Sequence, residues 1–240
     1  MALAFCRVEM KYFALFTILL MSVAASAEAS PVVFVLDKTD VIGFGAGPYG
    51  QVTLDLMGGG AYAGKIKISV DVTSFSGKTF KVIDTGTHEA FSFNTILGGP
   101  FSAPTYTMSG FSVSSLSQAP PSPGTNPGFG SFDLAVQSTC TNPGKCTPLV
   151  SSFSFYVGHA GGFSSVNDLV DVTSGSGTKG YFAVDVLCLT GCSESGLTGV
   201  VGATSIPNSA LVQAPETTTI AMLLVGLCFV ITAFRYNRSF

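Results

Sequence analysis

The chain has 240 residues, of which 28 are glycine and 12 proline, and only 10% carry charge, 11 basic against 14 acidic. A formal charge of −3 with no Lys/Arg cluster excludes a general nucleic-acid binder, because neutralising phosphates needs concentrated positive charge. Low charge with abundant Gly, Ser and Thr excludes a coiled coil, and 47% apolar content excludes wholesale disorder.

The N-terminus carries the pattern of a secretory signal read by the Sec machinery. Arg7 and Lys11 supply positive charge, and an apolar run from Tyr12 to Val23 follows, short for a bilayer span. Ala25-Ser26-Ala27 then gives an A-x-A cleavage site, with Ala27-Glu28-Ala29 as the second choice. Met10-Lys11-Tyr12 makes a more ordinary start than Met1, so Met10 is a second candidate initiator. Residues 1–27 are therefore expected to be removed. A body of about 185 residues remains, enough for one domain with its own core.

From residue 28 to 213 the pattern is β throughout. Pro31–Leu36 is a compact apolar run and Gln51–Leu56 alternates. Lys65–Val72 is the clearest strand: Ile66, Ile68, Val70 and Val72 face one way, with Lys65, Lys67, Ser69 and Asp71 opposite. Further strands are expected at Thr79–Ile83, Glu89–Leu97, Tyr106–Val113, Gly130–Gln137, Leu149–Val157, Tyr181–Leu187 and Gly199–Ala203. Leu169–Val172 fits a short helix or a strand. Ser117–Phe129, with four prolines, reads as a loop. About ten short strands separated by Gly, Pro, Ser and Asn predict an all-β fold, an antiparallel β-sandwich or jelly roll. The i,i+2 spacing of Phe91 with Phe93, and of Phe153 with Phe155, marks inward sheet faces.

Four cysteines fall in the body: Cys140, Cys146, Cys188 and Cys192. An even number in an exported domain predicts two disulfides. Cys140 and Cys146 flank a Pro-Gly turn, and Cys188 and Cys192 close a five-residue loop, so the spacing favours 140–146 and 188–192. Bridges joining the two segments are the alternative. A four-cysteine zinc site would need C-x2-C pairs, which are absent, so no metal or other cofactor is expected.

Gly45–Gly50 matches G-x-G-x-x-G, but Pro48 interrupts it and a strand follows, where a dinucleotide fingerprint must open a helix. His88 and His159 lie outside any HExxH motif, and no G-x-S-x-G elbow occurs. Asp37 with Asp40, and Asp168 with Asp171, sit at expected strand ends, where calcium is the sharper reading and solvated turns the plainer one. Tyr49, Tyr62, Tyr106 and Tyr181 are the aromatics open to sugar stacking. No catalytic residue is assigned.

The tail carries the most information. Thr217–Phe234 is an uncharged, mostly apolar run of 18 residues, about the minimum for a transmembrane helix. Arg235 and Arg238 follow, which places that end in the cytoplasm and the body outside. Every arginine of the chain is terminal: Arg7, Arg235 and Arg238. Ala214-Pro215-Glu216-Thr217 precedes the run. Together these pieces resemble the PEP-CTERM sorting signal of Gram-negative bacteria, a Pro-Glu-Pro motif, an apolar helix and terminal arginines. Pro215 and Glu216 match, while Thr217 replaces the second proline.

The resemblance implies recognition by an exosortase, cleavage near Pro215–Thr217, and membrane attachment until then. It also implies a final place at the cell surface or in an exopolysaccharide matrix. The body too is similar to a recurrent PEP-CTERM ectodomain, through Leu36-Asp37-Lys38, Pro48–Thr53, Gly128–Asp133, Tyr181–Asp185 and Thr198–Ala203. That likeness implies a secreted β domain and supplies no catalytic residues. The expected protein is thus a structural or interaction protein without an enzymatic site. Its rivals are a carbohydrate-binding module and a secreted hydrolase with a hidden Ser-His-Asp or paired-carboxylate site.

Overall fold

The computed structural model describes residues 30–83, 88–98, 101–106, 113–118, 124–126, 128–138 and 149–207. They fall in one compact unit, Ser30–Val212. The protein is all-β with antiparallel sheets. The first sheet runs β1 (Val32–Leu36), β3 (Gly50–Leu56), β4 (Ile66–Asp71), β12 (Ser152–His159), β7 (Phe101–Tyr106). The second runs β2 (Lys38–Thr39), β14 (Thr198–Ala203), β13 (Phe182–Thr190), β6 (Phe91–Phe93), β11 (Leu134–Ser138), β8 (Val113–Gln118). A small ribbon pairs β9 (Gly124–Thr125) with β10 (Ser131–Phe132).

Alternation decides which side of each strand is buried. In β4, Ile66, Ile68 and Val70 are buried while Lys67, Ser69 and Asp71 are half-exposed. Register carries the pattern across the sheet, since Leu54 sits opposite Ile68 and Ile68 opposite Phe155. Inner residues of both sheets share one core, joined by an aromatic seam. Phe34 of β1 meets Phe182 of β13 edge-on at 4.8 Å, and Phe91 of β6 meets Phe155 of β12 at 5.9 Å. Phe91, Phe93, Phe153 and Phe155 all point inward, as their spacing predicts.

Strand β13 is flanked on one side by two partners in tandem. β5 (Thr79–Val82) pairs its C-terminal half and β6 its N-terminal half. Asp185 stands between them, its carbonyl accepting from Ile83 N–H (3.0 Å) and its N–H donating to the Ala90 carbonyl (3.2 Å).

Several expected elements differ. The strand predicted over Glu89–Leu97 stops at Phe93, because Asn94 and Thr95 turn away to bond the Asp171 and Asp168 carbonyls. In place of Tyr106–Val113, strands lie on either side of residues 107–112, which fall outside the described residues. Gly130–Gln137 splits at Asp133, whose carboxylate accepts the Thr95 N–H and whose own N–H donates to Asn94. The proline-rich segment is not wholly loop: Ser117 and Gln118 end β8, and β9 lies within it. Near the expected Leu169–Val172 element the chain forms a 3-10 turn over Val166–Leu169. It is fixed by a capping box in which Asp168 accepts from Ser165 N–H and Ser165 from Asn167 N–H.

Among the described residues no helix is long and apolar enough to cross a membrane. The Thr217–Phe234 run lies outside them.

Candidate functional site

The sorting residues Pro215, Glu216, Thr217, Arg235 and Arg238, and the signal residues Ala25 and Ala27, lie outside the described residues, as do Cys140 and Cys146. Cys188 and Cys192 are bonded, with Cα atoms 6.5 Å apart. Their union removes these two sulfurs from any bridge between the cysteine segments and from a four-cysteine zinc site. In loop-entropy terms so short a loop contributes about 2 kcal/mol.

Several of the body segments singled out in the sequence meet in space. Asp37 accepts from the backbone N–H and hydroxyl of Thr204, both at 2.9 Å at their shortest. Asp40 accepts from Val200 N–H at 2.9 Å. The turn Gly128-Phe129-Gly130 has positive φ at both glycines and inserts Phe129 over Gly202 of β14. Phe129, Phe132, Ala183 and Val200 form a second, smaller core on the outer side of the second sheet. These motifs therefore tie the sheet edge and its cover together. Their chemistry is that of folding.

The aspartates considered for calcium are likewise occupied by backbone. Asp37 accepts from Thr204 just past β14 and Asp40 from Val200 within it, Asp168 accepts from Ser164 and Ser165 N–H groups, and Asp171 accepts from Val172 N–H. Among the described residues no three or more His, Cys, Asp or Glu side chains gather as a metal site.

The histidines part company. His159 contacts the rings of Phe101 and Phe163, and its Nε2 lies 3.3 Å from the Gly98 carbonyl. His88 Nδ1 lies 3.7 Å from Oδ1 of the fully buried Asp185. Ser92 shares that outer sheet face, but its hydroxyl is fully buried and accepts from Asn126 at 2.8 Å. A histidine, a carboxylate and a serine thus occupy one neighbourhood, with the serine sealed beneath the Phe129 turn and bonded to an amide. A nucleophile must reach its base and its substrate, and Ser92 is enclosed.

Tyr49 is not an accessible aromatic. It is 2% exposed, packs on Phe44 and Phe80, and donates its hydroxyl to the Gly45 carbonyl. Burial pushes the phenol above its ordinary value of 10.0. A group protonated more tightly when folded stabilises the fold below its unfolded pKa, and that contribution disappears as pH rises through the folded value. Tyr49→Phe is expected to lose about 1 kcal/mol at roughly pH 8, through the missing hydrogen bond. It should also fall less steeply than wild type above about pH 10. Urea unfolding on both sides of that pH reads this directly, and identical alkaline losses in the two proteins would show that Tyr49 titrates as if exposed. Tyr181 is also spoken for, packed 6.1 Å from Phe34.

The surface best supplied with free polar chemistry is the outer face of the first sheet. Three cross-strand rows lie on it. Gln51, Asp71 and Ser152 align, then Thr53, Ser69 and Ser154, then Asp55, Lys67 and Tyr156. Tyr62, from the loop joining β3 and β4, stacks on Tyr156 with centroids 3.9 Å apart and planes 2° apart. Lys65 Nζ lies 5.3 Å from the Tyr62 ring centre. Val33 and Val35, 39% and 49% exposed, border the face on edge strand β1. Tyr62, half-buried, thus stacks on a second half-buried ring; the side chain of Tyr106 lies outside the described residues. Tyr156 was missed by sequence reasoning, though the alternation that buries Phe153 and Phe155 already turns it outward.

No family model matches the chain, and no curated protein and no solved structure matches it either.

Proposed function

We propose that this chain is an exported protein of the cell surface or extracellular matrix, delivered by the Sec machinery, held by its C-terminal tail and released by an exosortase. Its body is a jelly-roll-like β-sandwich acting as a structural or interaction module within an exopolysaccharide matrix, without an enzymatic site. The observation that carries the reading is the order of the tail: Pro215-Glu216-Thr217, an uncharged run to Phe234, then Arg235 and Arg238. The physical logic is that Pro215 keeps the preceding chain extended for a protease just outside the membrane, while the basic residues fix orientation. The Cys188–Cys192 disulfide supports the reading independently, since such bonds persist in oxidising compartments.

Intact mass of the protein recovered from the surface or medium of its host tests this. The expected C-terminus lies near Pro215–Thr217. A mass that retains Arg238 and Phe240 overturns the cleavage and leaves a permanent single-span anchor.

A further inference from the structure

We propose that the outer face of the first sheet binds an uncharged polysaccharide, laid across the strands along the Thr53–Ser69–Ser154 row. The proposal concerns the body alone and stands whether or not the tail is cleaved.

The relief of the face comes first. Alternate residues on a strand are about 7 Å apart, and neighbouring strands about 4.8 Å. The middle row carries only small hydroxyl side chains, flanked on one side by Asp55, Lys67 and Tyr156 and on the other by Gln51 and Asp71, with the short Ser152 at its end. The result is a shallow trough across β3 and β4 that opens on one side at β12. The hydroxyls of Thr53, Ser69 and Ser154 engage no other side chain among the described residues, and each residue is half-exposed. They offer both donors and acceptors at a regular spacing. A chain of sugars presents the same kind of groups in return.

Charge selects the occupant further. Two carboxylates, Asp55 and Asp71, balance two ammonium groups, Lys65 and Lys67, on the same face. A polyanion finds no net positive field there. A folded protein partner would call for a buried apolar centre, whereas the centre of this face is hydroxyl-bearing. The stacked Tyr62–Tyr156 pair at the loop end supplies the aromatic element of the face, suited to the C–H face of a sugar ring, with phenol hydroxyls to bond its edge.

The test is native affinity electrophoresis of the full secreted chain. Gels are cast with the host's own exopolysaccharide, with dextran, galactomannan or mixed-linkage glucan, and with alginate as the anionic comparison. Retardation is expected in at least one uncharged gel and is expected to persist in added salt. Tyr156→Ala should weaken it about tenfold. Ser69→Arg, which leaves the aromatic pair in place and fills the trough, should weaken it comparably. Unchanged thermal midpoints certify that both variants are folded, and Ser69→Arg carries the test alone where Tyr156→Ala fails to fold. No retardation in any uncharged gel overturns the proposal. So does retardation confined to alginate and abolished by salt, or uncharged binding that both folded variants retain.

Discussion

Phe91→Ala is expected to cost about 3–5 kcal/mol of stability. Domains of this kind are stable by only about 5–15 kcal/mol, so the loss is a large share of the whole. The reason lies in what the ring touches. Phe91 is fully buried on β6, meets Phe153 and Phe155 of the opposite sheet at 6.1 and 5.9 Å, and lies 6.0 Å from Phe182 beside it. Strand β6 is only three residues long, and it bridges β13 to β11. Neighbours anchored in longer strands on both sides can collapse little into the space an alanine leaves, so the cavity term stays near its full size. Val35→Ala is the control: nearly half-exposed on the edge strand, it should change stability by less than about 0.5 kcal/mol. Urea unfolding of both variants reads the difference. A Phe91→Ala loss below about 1 kcal/mol would show that the two sheets do not meet through this ring.

The contrast between these two positions marks what the sequence makes legible. Period-2 alternation is a local property, so the inward Ile66, Ile68 and Val70 and the four inward phenylalanines can be read without any partner strand. Pairing is not local. Nothing between residues 71 and 152 announces that β12 lies beside β4, because alternation states which face is buried and not which neighbour is bonded. Asp185 shows a second limit: it lies within the expected strand Tyr181–Leu187, where alternation turns it away from the main core, yet it is fully buried at the junction of β5 and β6.

At Asp37/Asp40 and Asp168/Asp171 a list of carboxylates favours solvated turns and omits the backbone N–H groups that these side chains accept from in the fold. For the candidate site, Tyr62 was legible as an unassigned aromatic. Its stacking on Tyr156 was not, since a loop residue and a strand residue 94 positions apart share no sequence pattern. The sorting residues are legible as a linear signal, and a linear signal is what a protease reads.

The second large effect concerns the outer side of the second sheet, where Phe129→Ala is expected to cost about 3–5 kcal/mol. Phe129 is 1% exposed although it sits in a turn. Glycines receive it on three sides. Gly128 and Gly130 hold positive φ, and a Cβ at Gly130 would lie 2.5 Å from the Ser174 carbonyl oxygen. At Gly202 a Cβ would lie 2.5 Å from the Phe129 ring itself. Ring and glycine are thus a matched pair. Gly202→Ala alone should cost about 1–3 kcal/mol by overpacking. Combining it with Phe129→Leu should cost less than the sum of the two single changes, because the shorter side chain vacates the space the new methyl needs. The coupling distinguishes a packed plug from a turn that merely rests on the surface, where the costs would add. Phe129→Ala should also unseal Ser92 and Asn126, which lie buried on the same face. Hydrogen exchange would then quicken at the backbone of Phe91–Phe93 relative to β4 in the same molecule. Equal protection in both strands would mean that the cover over this face does not depend on Phe129.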